Sequence, residues 1–199
     1  MKRVLIGSMG LLTLGAPAFA QETLTGGSIE RPFVDGGRVR LDLSSADYAV
    51  RAGGSDRVRV RWTPDDEARL KDLKKLSVEV HVSGRLATIV TDGPARHVKF
   101  VIEVPARSDV HLRVRAGDVE LEGIDGHKDI RMTAGDLKIG VRRESLATAH
   151  ASVTFGDLDA RALGISKSGI KRSLDWIGGG KYVLDARLGA GDITLAEMR

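Results

Sequence analysis

From Arg38 onward, apolar and polar residues alternate with a period of two. Val39, Leu41 and Leu43 make the first run, Val58, Val60 and Trp62 the second, Val78, Val80 and Val82 the third, and Val98, Phe100, Ile102 and Val104 the fourth. Alternation enriched in β-branched residues predicts strands with one buried face. Turn formers separate the runs, among them Gly36-Gly37, Ser44-Ser45, Gly53-Gly54, Ser83-Gly84 and Asp92-Gly93-Pro94. One stretch departs from this pattern. Thr63 offers an N-cap, Pro64 takes the first helical position, an acid follows at Asp66, and the run to Lys75 ends on basic residues. That order predicts one short helix or a charged excursion.

The second half repeats itself around a glycine-aspartate pair, at Gly117-Asp118, Gly135-Asp136, Gly156-Asp157 and Gly191-Asp192. Relative to each glycine, apolar residues fall at −3, −1, +2 and +4, so the alternation slips phase across the pair. A straight strand would send −1 and +2 to opposite faces, so burying both requires a bend. Glycine supplies the positive φ of such a corner and aspartate bonds its own turn. The glycines are spaced by 18, 21 and 35 residues. Short units that cannot bury their own apolar faces predict an all-β fold of stacked coils, a β-solenoid, with a more irregular N-terminal β region. An antiparallel sandwich is the competing arrangement.

The run from Glu103 to Gly126, the recurring Ala-Gly-Asp followed by Leu or Ile, and the closing run from Gly180 to Leu195 carry a resemblance. They resemble a large bacterial family of secreted β-strand repeat proteins known as the putative-adhesin family, a domain of unknown function. The likeness covers about residues 36–195 and is weakest across 63–76. It implies a β-solenoid of the β-helix type and supplies no catalytic, cofactor-binding or metal-ligating residue.

The N-terminus adds an address. Lys2 and Arg3 precede an apolar run that Pro17 breaks before Ala18-Phe19-Ala20, the layout of a signal peptide cleaved after Ala20. The expected organisation is a signal peptide over 1–20, an N-terminal extension over 21–35, the β-strand repeat domain over 36–195 and a C-terminal tail over 196–199. The mature chain is expected in the periplasm or outside the cell, with no transmembrane segment. Half of the formal net charge of +4 sits on Lys2 and Arg3. The chain has no cysteine and no asparagine, which excludes disulfide staples, thiolate chemistry and amide-dependent catalysis.

Several residues invite a chemical reading. Asp118, Asp136, Asp157 and Asp192 could form a carboxylate ladder for cations, but turn geometry accounts for them, and the calcium-binding glycine-rich repeat is missing. Ser168-Gly-Ile-Lys171 matches the spacing of an acyl-enzyme serine and lysine, yet its glycine-rich flanks make a poor helix and the companion motif needs asparagine. Gly178-Gly179-Gly180-Lys181 has Asp175 where a phosphate loop needs glycine, and so reads as a turn. His81, His97, His111, His127 and His150 form no ligand pair by spacing, and His81, His111 and His150 are expected to face solvent. Arg57, Arg59, Arg61, Arg113 and Arg115 make basic rows suited to anionic glycans, lipopolysaccharide or nucleic acid. Asp56, Glu120 and Glu122 are expected to offset them in a salt-bridged face. Trp176 and Tyr182 flank the glycine loop as a ligand platform or a cap over the last coil, with the cap preferred.

The sequence therefore predicts an exported, non-enzymatic binding, adhesion or scaffold module for an envelope or surface ligand, glycan or protein, with no nucleic acid. A self-assembling structural protein, associating through solenoid edges, is the second reading. A carbohydrate-active β-helix enzyme is the third.

Overall fold

In a computed structural model of the chain, residues 26–64, 74–95, 97–167 and 170–198 are described, with the side chains of 166–171 set aside. Among the described residues the fold is all-β, two sheets with no α-helix, interrupted by short 3-10 turns at Arg143–Ser145 and Arg161–Leu163. In chain order the strands are β1 (Gly27–Pro32), β2 (Arg38–Leu43), β3 (Asp47–Ala52), β4 (Arg57–Pro64), β5 (Ser77–Ser83), β6 (Leu86–Asp92), β7 (Val98–Val104), β8 (Asp109–Ala116) and β9 (Val119–Glu122). There follow β10 (Lys128–Ala134), β11 (Leu137–Val141), β12 (Leu146–Phe155), β13 (Leu158–Ala160), β14 (Ile165–Lys167), β15 (Ile170–Ile177), β16 (Tyr182–Ala190) and β17 (Ile193–Glu197).

The nine-stranded sheet runs β1-β4-β7-β3-β9-β11-β17-β13-β14, and the eight-stranded sheet runs β15-β12-β16-β10-β8-β2-β6-β5. Six times the chain lays one strand in the eight-stranded sheet and the next in the nine-stranded sheet, as β2/β3, β6/β7, β8/β9, β10/β11, β12/β13 and β16/β17. These units lie side by side with parallel pairing, and residues of equal rank fall in register. Ile89, Leu41, Leu112, Ile130, Ala186 and Ala151 form one such rung-to-rung row in the eight-stranded sheet. All six are fully buried. Phe100, Tyr48, Val119, Leu137, Ile193 and Leu158 form the matching row in the other sheet. The two inner faces merge into one hydrophobic cluster, in which each fully buried leucine or isoleucine contributes about 2–3 kcal/mol.

The lateral order of the units differs from that of a plain β-helix, where each coil lies beside the one before it. Along the stack the order is β6/β7, β2/β3, β8/β9, β10/β11, β16/β17, β12/β13. The third unit packs on the first, and the last unit sits between the fourth and fifth. Gly-Asp corners with parallel rungs allow this, because any two units with the same apolar frame present compatible edges. Antiparallel strands cover the ends of the parallel stack. β4 and then β1 extend one end of the nine-stranded sheet and β14 the other, while β5 and β15 flank the eight-stranded sheet.

The expected helix start is not found. Thr63 and Pro64 are the last residues of β4, paired with Lys99 and Val98. β1 begins opposite Trp62, so on its far side Pro64 faces no ladder that its missing N–H would interrupt. Of the rest of the predicted excursion, 65–73 lie outside the described residues and Lys74 and Lys75 form a turn before β5; the expected signal peptide over 1–20 also lies outside them.

Candidate functional site

The Gly-Asp pairs are the corners between the two sheets. Gly117, Gly135, Gly156 and Gly191 take φ of +116°, +109°, +136° and +123°. A Cβ on Gly135 would lie 2.0 Å from the Gly117 carbonyl oxygen, and one on Gly191 would lie 2.0 Å from that of Gly135. Glycine is thus required both by its own backbone and by the rung beside it. The aspartates stitch the rungs together. The backbone N–H of Asp118 donates to Asp47 Oδ1 (3.3 Å), that of Asp136 to Asp118 Oδ1 (3.3 Å), that of Asp192 to Asp136 Oδ1 (3.1 Å) and that of Asp157 to Asp192 Oδ1 (2.8 Å). The aspartates are structural, as expected of corner residues, but the carboxylates of Asp118, Asp136 and Asp192 accept from the neighbouring rung and not from their own turn. Among the described residues no group of three or more His, Asp or Glu is placed to hold a metal ion.

Two features of the corners were hidden in the sequence. The ladder starts at Asp47, where Ala46 replaces glycine, so a motif anchored on glycine passes over the first unit. There Tyr48 reinforces the corner. Its buried hydroxyl lies 2.8 Å from Thr91 Oγ1 and donates to the Ser44 carbonyl at 3.2 Å, while Ser44 N–H donates to Thr91 Oγ1 at 2.9 Å. Burial pushes the Tyr48 phenol above its ordinary pKa. The −1 position, moreover, does not join the core. Ala116 and Ala134 are half-buried, Ala190 is exposed, and Phe155 is 58% exposed. The chain turns at that residue and leaves its side chain on the rim.

The arginine rows divide into two kinds. On the nine-stranded sheet the salt-bridged reading holds. Glu30 accepts from Arg59 (2.6 Å) and Arg57 (2.8 Å), while Glu103 accepts from Arg61 (2.7 Å), Arg51 (3.0 Å) and Arg59 (3.3 Å). The Arg59 guanidinium first, then Arg57, holds the Glu30 carboxyl below the usual carboxylate range against the opposing effect of desolvation.

On the eight-stranded sheet Arg113, Arg131 and Arg187 are neighbours on β8, β10 and β16, beside a row containing His111, Asp129, Asp185 and His150. Arg131 pairs with Asp129 (2.7 Å) and Asp185 (3.2 Å), Arg187 pairs with Asp185 (3.2 Å), and His111 and His150 face Asp129 (2.9 Å) and Asp175 (2.6 Å). Arg113 and Arg115 are exposed and have no ion-pair or hydrogen-bond partner among the described residues. The expected offset by Glu120 and Glu122 fails, because β9 belongs to the other sheet and both glutamates lie beside Lys138. Neighbours in sequence across a corner are thus on opposite outer faces. The arginines line an open trough of about 910 Å³, together with the hydroxyl-bearing Thr133, Ser152 and Thr154.

The remaining candidates resolve as follows. Ser168 lies outside the described residues, and Lys171 falls within strand β15. The amides of Gly178, Gly180 and Lys181 donate to the carbonyls of Ala147, Leu146 and Ser145, so the glycine loop is a turn tied back to the start of β12. Trp176 and Tyr182 are half-buried against the core, the first under the Arg143 guanidinium at 5.8 Å and the second edge-on to His127 at 5.7 Å. His81 is exposed beside Glu79, and His97 is exposed in the turn before β7. A buried lysine went unnoticed in the sequence. Lys128 points inward at the start of β10 and donates to the Gly126 carbonyl at 3.2 Å. Burial lowers its pKa to about 8, in spite of Asp125 and Asp109 nearby.

The architecture is that of a two-sheet β-repeat protein with parallel rungs joined at Gly-Asp corners. No family model matches the chain, and no curated protein matches it in sequence. Solved structures do resemble it. A putative cell adhesion protein from Clostridium sporogenes superposes with a TM-score of 0.52 at 10% identity, covering 85% of this chain and 98% of that one. A putative adhesin from Bacteroides fragilis gives a TM-score of 0.28 at 11% identity over 87% of this chain and 98% of that one. A putative lipid binding protein from Parabacteroides distasonis gives 0.36 at 12% identity over 85% of this chain and 73% of that one. At these identities the likeness is one of fold, and it rests on the first.

Proposed function

We propose that the protein is an exported, non-enzymatic module that binds or adheres at the bacterial cell envelope. The observation that carries this reading is the outer face of the eight-stranded sheet. Parallel rungs in register hold outward side chains in rows at a spacing of about 4.8 Å, so weak contacts to a repeating ligand add up. Export is supported by the Lys2-Arg3 start, the apolar run and Ala18-Phe19-Ala20. Among the described residues no helix is long and apolar enough to cross a membrane.

The other two readings draw less support. A filament would have to form through the outer sides of β1, β5, β14 and β15, the antiparallel strands that end the two sheets, and not through a parallel rung. For an enzyme, Asp129 and Asp185 are adjacent carboxylates on this face, yet both are engaged by Arg131. The test is retention on isolated cell envelopes. The protein should sediment with them at physiological salt and release no reducing or unsaturated ends from envelope polysaccharide. Failure to sediment above the level of an inert protein of equal charge would overturn the binding role, and released ends would overturn the non-enzymatic one.

A further inference from the structure

Two outward arginines carry charge that no described side chain pairs with. Arg113 and Arg115 project from β8 on the same face, exposed and without a partner among the described residues. Arg57 and Arg59 on the opposite sheet, by contrast, are held by Glu30 and Glu103. Arg131 and Arg187 carry the row onto the next two rungs, where Asp129 and Asp185 offset them in part, and Asp42 ends the row on the other side of Arg113. Farther along, Thr133, Ser152 and Thr154 present hydroxyls, and Gly189 adds no side chain to the floor. Asp42, Glu79 and Asp92 stand at the β2–β5 end of the trough.

We infer that this trough binds an acidic polysaccharide, a uronate polymer laid across the strands with carboxylates on the guanidinium groups and sugar hydroxyls on the threonines and serine. The inference rests on the reading of the protein as a binding module and names its ligand class. The rung spacing of about 4.8 Å is close to the length of one pyranose residue, so an extended glycan running along the stack meets a new cation or hydroxyl at each rung. A guanidinium fork fits a carboxylate with two parallel hydrogen bonds, a match an ammonium lacks. Among the described residues no aromatic ring lines the trough, which thus offers nucleobases no stacking platform. None of the exposed large apolar side chains among the described residues lines it either, which leaves it nothing to insert into a lipid bilayer. The acids at the β2–β5 end repel an anionic chain and confine it to the β8–β12 side.

The experiment compares affinity for immobilised polygalacturonate and for neutral dextran, using the full-chain protein, R113Q/R115Q and R57Q/R59Q. The last variant removes the same formal charge from the opposite sheet, and a urea midpoint for each variant confirms that it is folded. The protein should bind polygalacturonate and not dextran. R113Q/R115Q should weaken binding by at least about tenfold and lower the slope of log affinity against log salt by about one to two, while R57Q/R59Q should change affinity by no more than about twofold. Absence of polygalacturonate binding, equal retention on dextran, equal loss in both double variants, or no loss in R113Q/R115Q would each overturn the inference. Sedimentation with envelopes alongside any of those results removes only the ligand assignment, whereas failure to sediment removes the broader reading.

Discussion

Replacing Gly135 with alanine tests whether the corners hold the stack together or merely turn the chain. Two costs arise. The backbone at φ +109° is strained for any L-residue, at about 1–3 kcal/mol. The new Cβ would also lie 2.0 Å from the Gly117 carbonyl oxygen, so the neighbouring rung has to move. That movement loosens the Asp136 N–H bond to Asp118 Oδ1 (3.3 Å) and the Gly135 N–H bond to the Ala190 carbonyl (2.9 Å). At about 1 kcal/mol net for each bond, the total reaches about 4 kcal/mol. Gly84 supplies the control, because its φ is +56° and a Cβ there meets nothing within 4 Å. Gly84→Ala should cost only the conformational part, about 1 kcal/mol. Urea unfolding of the two variants, followed by far-UV circular dichroism, reads the difference as a midpoint shift at constant slope. If Gly135→Ala loses no more stability than Gly84→Ala, the contact between rungs is not a source of the glycine requirement and the corners only turn the chain.

Three further outcomes follow from other parts of the molecule. Lys128 has a folded pKa of about 8 against an ordinary 10.5, so between those values the unfolded chain holds more protons and stability should rise with pH, by about 3 kcal/mol across the window; Lys128→Met should flatten that rise in denaturant titrations at pH values spanning it, and an unchanged slope would refute the burial of the charge. Tyr48→Phe leaves Thr91 Oγ1 and the Ser44 carbonyl without the phenol and should cost about 1–2 kcal/mol in a urea titration, whereas a neutral result would mean the cluster does not support the first corner. Glu103→Gln removes the carboxylate shared by Arg51, Arg59 and Arg61; a loss of about 1 kcal/mol that shrinks at high salt is expected, and a salt-independent loss would point to packing instead.

What the sequence disclosed, and what it withheld, follows from the reach of each interaction. Alternation reports burial residue by residue, so Leu41, Ile102 and Leu121 declared themselves, as did the corners at Gly117, Gly135, Gly156 and Gly191. The first corner did not, because a buried Tyr48, Ser44 and Thr91 cluster and the carboxylate of Asp47 support it where glycine is absent. Unit order was beyond a local pattern. All units share one apolar frame, and nothing in that frame says whether β16/β17 follows β12/β13 outward or enters beside β10/β11. The candidate site was half legible. Arg113 and Arg115 stood out as a basic row, but Glu120 and Glu122, close in sequence, were credited with neutralising them, and only the corner at Gly117-Asp118 puts those charges on opposite faces. Lys128 was missed because a lysine after Gly126-His127 looks like a turn residue, and its inward direction is set by the register of β10.

The interior position of β16/β17 makes the molecule unlike an array that can be shortened from its end. Trimming a terminal unit from an ordinary repeat protein leaves a smaller version of the same protein. Here, removing the chain beyond Lys181 would extract a slat from the middle and leave β12/β13 without the parallel neighbour on which both its strands pair. Assembly inherits the same constraint. The fifth unit has no finished berth until the sixth arrives, so the most C-terminal strands decide when the earlier ones become a body, and the transition should be all-or-none rather than unit by unit.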